Sequence, residues 1–327
     1  MTRLPVLATA AVFVLGFLLC AMQFPAMASV RVLANLLTDS AFLGIVAVGM
    51  TFVIISGGID LSVGSVIGFA SVLLAVLIGR AGVPPVLAFA LVLAVSALFG
   101  AAMGTLIRVL DMPPFIVSLA GMFLARGAAF LVSTESIPID APFYAAVDDA
   151  ALRLPGGGRL GAVAVLMLVV VAAGAVVLRF TRFGTAVRAL GGNRHAAALM
   201  GLPTGRVTVA VYTLSSTLAG LSGIAFSLYT SSGYSLSAVG VELDSIAAVV
   251  IGGTTLAGGS GSVLGTLLGV LIQGLIQTYI NFDGTLSSWW AKIATGLLLF
   301  AFIAVGGAGT ALASRRSRAA RHRLVSP

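Results

Sequence analysis

The stretch GGIDLSVGS, residues 57–65, separates two runs apolar enough for hydrocarbon, VAVGMTFVIIS (46–56) and VIGFASVLLAVLIG (66–79). Glycine and serine break helices here, and Asp60 puts a carboxylate in or beside a bilayer, where charge is costly. The surrounding chain sharpens the contrast. Of its 327 residues 59% are apolar and only 9% charged, against about 25% charged in soluble domains. This composition defines an all-α polytopic membrane protein with no room for a sizeable soluble domain. At ~20 residues per span, the length accommodates about ten spans with short connections.

Ten apolar runs are legible, at 4–24, 41–56, 62–80, 84–107, 113–132, 161–180, 207–229, 245–256, 263–281 and 290–308. The second and eighth are short, and both lead into glycine clusters. Threading from a cytoplasmic N-terminus leaves both termini inside. The inside then receives Arg3, Arg108, Arg179, Arg182, Arg188, Arg194, Arg206 and five tail arginines (Arg315, Arg316, Arg318, Arg321, Arg323). The outside receives Arg31, Arg80, Arg153 and Arg159, and Arg126 and Lys292 fall within spans. This asymmetry obeys the positive-inside rule, and nine or eleven spans would split the arginine clusters. Most of the acids, Glu242 and Asp244 among them, thread to the outside. The net charge of +8 therefore reads as topology and lipid anchoring in a basic tail, 309–327, and not as nucleic-acid binding. Ala26-Met27-Ala28 imitates a signal-peptidase site, but the preceding apolar run exceeds a typical signal core, so the first span reads as retained.

Several catalytic devices are missing from the sequence. It holds no GxxxxGK[ST] phosphate loop and no HExxH. Its one cysteine, Cys20, supports neither a disulfide framework nor a thiolate cluster. The two histidines, His195 and His322, thread to cytoplasmic segments, so no metal site and no cofactor are expected in this chain.

A partial repeat links the opening stretch to a second place. GSVIGFASVLLAVLIG (64–79) resembles GSVLGTLLGVLIQGLI (261–276), and VIISGG (53–58) resembles VVIGG (249–253). Each copy reads as short span, glycine-rich break, span; chance matching in a glycine-rich chain is the alternative. Broken helices at corresponding places in two halves point to a transporter's central site. Irregular backbone persists at membrane depth only when buried in protein or lining a wet cavity. The spacings Gly64/Gly68, Gly100/Gly104, Gly261/Gly265 and Gly265/Gly269 suit close helix packing.

Candidate pathway residues each carry a second reading. Asp60 or Ser62 caps the span that begins near 62, or meets a solute. No second intramembrane acid accompanies Asp60, which argues against a proton relay. Arg126 faces the pathway, pairs with Asp60 or Asp111, or snorkels to an interface. Gln273, Gln277 and Asn281 recur every four residues on one helix face, where they glue helices or hydrogen-bond a polar solute. Trp289 and Trp290 read as interface-belt residues before sugar-stacking platforms. The connection TRFGTAVRALGGNRHAAALMGLPTGR (181–206) reads as two short amphipathic helices near 182–190 and 194–200. It is either a docking element beneath the membrane or an ordinary connection.

SGGIDLSVGS (56–65), TRFGTAVRALGGNRHAAALMGL (181–202) and VVIGGTTLAGGSGSVLGT (249–266) resemble the ribose-type sugar permeases of bacterial ABC importers, over nearly the whole chain. NLLTDSAFLGIVAVGMTFVI (35–54), STESIPI (133–139), LPGGGRL (154–160) and IQGLIQTYINFDGTLSSWW (272–290) resemble most the galactofuranose-importing branch. The resemblance implies a single transmembrane permease domain over 1–327 in the inner membrane. It implies three partners: a periplasmic sugar-binding protein, a second homologous permease forming a heterodimer, and a duplicated cytoplasmic ATPase that would carry ATP and Mg. It further implies that 181–206 touches that ATPase, through a segment at 184–201 that includes Gly184, Val187, Leu190, Gly191, Gly192, Asn193, Ala197 and Gly201. Import of ribose or another monosaccharide is the alternative within the class. A gradient-driven secondary transporter is the alternative outside it and would work without an ATPase; a channel or scaffold subunit is a third reading.

Overall fold

A computed structural model describes residues 3–304 and is predominantly helical. The chain begins with α1 (Arg3–Gln23) and, past a 3-10 turn at Pro25–Ala28, bends by 53° between α2 (Val30–Asp39) and α3 (Ala41–Ile55). α4 (Val63–Leu74) ends in a π-helical turn, Ala75–Arg80, and is followed by α5 (Pro85–Val109), α6 (Pro114–Val132) and the short α7 (Pro142–Asp149). Next come α8 (Ala162–Phe180), α9 (Arg182–Gly192), α10 (Arg194–Leu199) and α11 (Thr204–Thr230). The described chain closes with α12 (Val241–Ile251), α13 (Val263–Asp283) and α14 (Trp289–Ala304). The basic tail expected at 309–327 lies outside the described residues.

Among the described residues, seven helices are long and apolar enough to cross a membrane, or eight if the bent α2–α3 pair is one span. Ten runs are legible in the sequence, yet α3, α12 and α14 are too short to qualify alone. Two of these three, α3 and α12, are halves of interrupted segments and depend on their neighbours to bury their ends.

The 27-residue α11 is the hub, packed by α3, α4 and α5. Its inward face is small: Ser215, Ser216, Ala219, Gly220, Ser222 and Gly223 are all buried. Small residues substitute for hydrophobic drive in a membrane because they let backbones approach closely. A Cβ on Gly100 of α5 would sit 2.4 Å from the Tyr212 carbonyl oxygen, and one on Gly104 would sit 2.7 Å from Val209 Cα. The Gly100/Gly104 spacing is thus the α5–α11 contact. Gly265 and Gly269 bring α13 equally close to the backbone of α12 at Gly252 and Ala248.

Turns gather at two ends. One holds the α3–α4 break, the α5–α6 turn with Asp111, α9–α10 and the α12–α13 break. Gly259 N–H donates to the Ile55 carbonyl at 2.8 Å, and Arg194 lies 3.6 Å from Asp111. The other end holds the antiparallel pairings Ile137–Pro138 with Ser232–Gly233 and Leu152–Arg153 with Arg159–Leu160. α1 is stitched to the bundle by buried Thr9, whose hydroxyl donates to the Ile251 carbonyl at 2.7 Å.

Candidate functional site

Both interrupted helices stop in the same way. In α3, Gly57 N–H donates to Ile54 O and Gly58 N–H to Val53 O, with Gly57 at φ +85°. In α12, Gly253 N–H donates to Val250 O and Thr254 N–H to Val249 O, with Gly253 at φ +86°. This is a helix C-cap in which a left-handed residue turns the chain back and satisfies orphan carbonyls. Glycine is required at both places because a side chain there is strained. The first interrupted helix is joined to the helix after the second break: Thr51 Oγ1 of α3 lies 2.7 Å from Thr266 Oγ1 of α13.

Past its cap, the first break climbs back into the bundle. Tyr212 Oη donates to Ile59 O at 3.2 Å, and Ser215 Oγ to Asp60 Oδ2 at 2.8 Å. Ser215 lies about 16 Å along α11 from Thr204, at 1.5 Å per residue, so Asp60 is near the middle of the bundle. It is fully buried. Its Oδ1 accepts from Ser62 N–H at 3.0 Å and Ser62 Oγ at 2.6 Å. Asp60 therefore closes an Asx turn that starts α4 at mid-depth, and all its partners are N–H or hydroxyl donors. Ser62 occupies the N-cap position of α4, but its hydroxyl serves Asp60 and not the helix.

Arg126 pairs with neither Asp60 nor Asp111. Its Nη1 donates to the carbonyl oxygens of Ser235 and, at 2.9 Å, Ser237. These belong to segment 231–240, which the sequence presents as an outside loop. In the structure this segment runs down α4: Gly233 lies against Ser71 and Ala75, and Ala238 O and Glu242 Oε2 lie against Gly64. α12 consequently begins well inside the bundle, and Glu242 and Asp244, threaded to the outside in sequence, are drawn in with it. Glycines 64 and 68 make room for this descent, since a Cβ on either would collide with Glu242 or Arg126.

The polar face of α13 meets α12 and α14. Gln273 Nε2 donates to Asp244 O at 3.0 Å, and Gln277 Nε2 to Asn281 Oδ1 at 3.1 Å. Lys292 of α14 donates to both Asp244 carboxylate oxygens, at 2.7 and 2.5 Å. Asp244, Gln273, Gln277, Trp289 and Lys292 line a common cleft of about 370 Å³. Asn281 is one turn beyond Gln277 and exposed.

At the opposite end, α9 and α10 start on side-chain caps. Thr181 Oγ1 accepts from Gly184 N–H at 3.2 Å, and Asn193 Oδ1 from Ala196 N–H at 2.9 Å. α9 runs on through both Gly191 and Gly192, where the sequence suggests a stop. Val187, Leu190 and Ala197 are buried and seat the element on the bundle. Gly184 packs on the Leu178 carbonyl, and Gly191 on that of Ile55, which a Cβ would approach to 1.8 Å. The outward surface carries Gly192, Asn193 and Gly201, together with Leu199 and Met200, which are 77% and 72% exposed. These last two went unremarked in the sequence; their signal is an apolar pair at the end of a six-residue helix otherwise made of polar residues and alanine.

These features define a polytopic helical membrane protein with two interrupted helices and a short α9–α10 pair packed at one end of them. The chain belongs to the family described as branched-chain amino acid transport system / permease component, which it matches over residues 32–303. It is 61% identical over 303 residues to the inner membrane ABC transporter permease protein YjfF of Escherichia coli K12, covering 93% of this chain and 92% of that one. It is 37% identical to the fructose import permease protein FruG of Bifidobacterium longum, covering 93% of each chain. It is also 37% identical to the ribose import permease protein RbsC of Escherichia coli K12, covering 84% of each. No solved structure matches the chain significantly. Permease components of this kind are non-catalytic, and ATP hydrolysis resides on a separate chain.

Proposed function

We propose that this chain is a transmembrane permease subunit of an ATP-driven ABC importer of the bacterial inner membrane. It carries a monosaccharide, galactofuranose, from periplasm to cytoplasm, with both termini cytoplasmic. The observation that carries the mechanism is the seat of α9: Gly191 lies on the Ile55 carbonyl at the end of α3, and Gly259 of the second break donates to that same oxygen. A push on α9–α10 therefore reaches both interrupted helices directly. A duplicated ATPase supplies that push with its own ATP and Mg, a periplasmic binding protein delivers the sugar, and a second, homologous permease completes the membrane unit. Asp60 and Ser62 hold the first break, and Arg126 holds the descending segment beside the path. The galactofuranose assignment rests on the stretches 35–54, 133–139, 154–160 and 272–290. Sugar as the substrate class is supported by the fructose and ribose permeases among the relatives.

Glu242 and Asp244 supply the intramembrane acids that a gradient-driven transporter needs, which is the observation favouring that second reading. Lys292 neutralises Asp244, however, and Glu242 lies one α4 turn from Arg126. The deciding experiment is uptake of labelled galactofuranose into proteoliposomes, with ribose and galactopyranose as competitors. ATP-dependent uptake needing ATPase, binding protein and both permeases is expected. Gradient-driven uptake by this chain alone overturns import by ATP, and uptake of ribose alone replaces the sugar.

A further inference from the structure

The cleft between α12, α13 and α14 holds more polar groups than the Gln273–Asp244 and Lys292–Asp244 contacts that join its helices: Gln277, Ser288 and Thr295 line it too. It is lined by the Lys292–Asp244 ion pair, Gln273, Gln277, Ser288 and Trp289. An ion pair facing hydrocarbon is costly, so this face is wet or covered by another subunit. The cleft's volume of about 370 Å³ falls within the roughly 300–1,000 Å³ of small-molecule pockets. It reaches from Asp244 in the first turn of α12 to Ser288 and Trp289 at the start of α14.

The chemistry selects one kind of ligand. Lys292 and Asp244 cancel in charge, yet an ammonium has three donors and a carboxylate about four acceptor sites, so the pair still offers both hydrogen-bonding senses. With the Gln277 amide this makes a surface of mixed donors and acceptors without net charge. Trp289 adds a flat apolar face and one N–H donor. An uncharged ring bearing hydroxyls on its edge and C–H groups on its face complements such a surface; an ion or an apolar solute does not. Trp290, adjacent in sequence, does not line the cleft, so of the two tryptophans only Trp289 faces it.

We propose that this cleft is a binding site for an uncharged cyclic sugar, with Trp289 as the stacking face and Lys292, Asp244 and Gln277 as hydroxyl partners. The proposal rests on the sugar-import reading and gives it an entry site. Trp289 and Trp290 are the chain's two tryptophans, so Trp290→Phe labelled with 5-fluorotryptophan reports on Trp289 alone by fluorine NMR in nanodiscs. The probes are methyl β-galactofuranoside, ribose and galactopyranose, with sodium sulfate as the ionic control. A saturable shift with the imported sugar and none with sulfate is expected. In the reconstituted transporter, Trp289→Ala then raises the half-saturating sugar concentration about tenfold, the size of one aromatic contact. Lys292→Met does the same and Lys292→Arg restores it. If the imported sugar leaves Trp289 unmoved and both variants keep wild-type half-saturation, the proposal is overturned while import stands. If the sugar shifts Trp289 but ATP drives no uptake in wild type, the site stands and the import reading falls.

Discussion

Asp60 shows how a single charge is made compatible with the middle of a membrane. Its carboxylate is buried, but one backbone N–H and the Ser62 and Ser215 hydroxyls surround it. Removing the acceptor orphans these donors, and each buried orphan costs about 1–3 kcal/mol. Asp60→Ala is therefore expected to lower the thermal midpoint in detergent strongly. Asp60→Asn keeps an oxygen for the Ser62 N–H and is expected to cost less. Equal losses would mean that charge, and not hydrogen bonding, holds the break. Gly191 offers a paired test in α9. A methyl there meets Ile55 O at 1.8 Å, whereas nothing lies within 4 Å of the next position, Gly192. Gly191→Ala is expected to destabilise by about 1–3 kcal/mol, as overpacking does, and Gly192→Ala to be neutral by the same thermal measurement.

Among the elements, the descending segment 231–240 is the least expected, and Arg126 holds it. A charged donor shared by two carbonyls contributes about 1.5–3 kcal/mol per bond. Arg126→Met is therefore expected to speed amide hydrogen exchange in 231–240 by at least about tenfold, while α5 and α11 stay protected. Unchanged exchange there would show that the strand pairing at Ser232–Gly233 suffices. The same segment marks where sequence reading stops. The helix breaks were legible because they are local: the glycine turns after α3 and α12 close hydrogen bonds over only three to five positions. The helix runs and the close-packing glycines of α5 and α13 were legible for the same reason. Depth is not local. SSGYSLSAVG (231–240) has the composition of a surface loop, and only its pairing with Ile137 and its seat on the α4 glycines take it into the bundle. The acids behind it were therefore misplaced, and Lys292 was seen within a span without its partner Asp244.

At the scale of the whole molecule, the bundle sets the polar cleft of α12–α14 apart from the α9–α10 pair, the docking element of the proposed importer, with α3, α4, α12 and α13 between them. Under the import reading proposed above, force applied at α9–α10 enters through buried Val187 and Leu190 and through Gly191 on the Ile55 carbonyl, and a partner grips the exposed side. That side offers Leu199 and Met200, whose exposure places a small apolar patch beside Arg194 and His195. Apolar anchors at the centre of an interface dominate its affinity, while rim charges contribute little. Leu199→Ser with Met200→Ser is therefore expected to weaken capture of the ATPase by about tenfold or more, a loss of about 1.4 kcal/mol or more. ATP-driven uptake should fall with it. The fold should survive, because neither side chain is packed, so the thermal midpoint is expected to match wild type. Sugar binding in the distant cleft should also persist, which separates this defect from the Trp289 and Lys292 variants. Undiminished uptake by the double variant would move the grip elsewhere on 181–206, to the backbone at Gly192, Asn193 and Gly201.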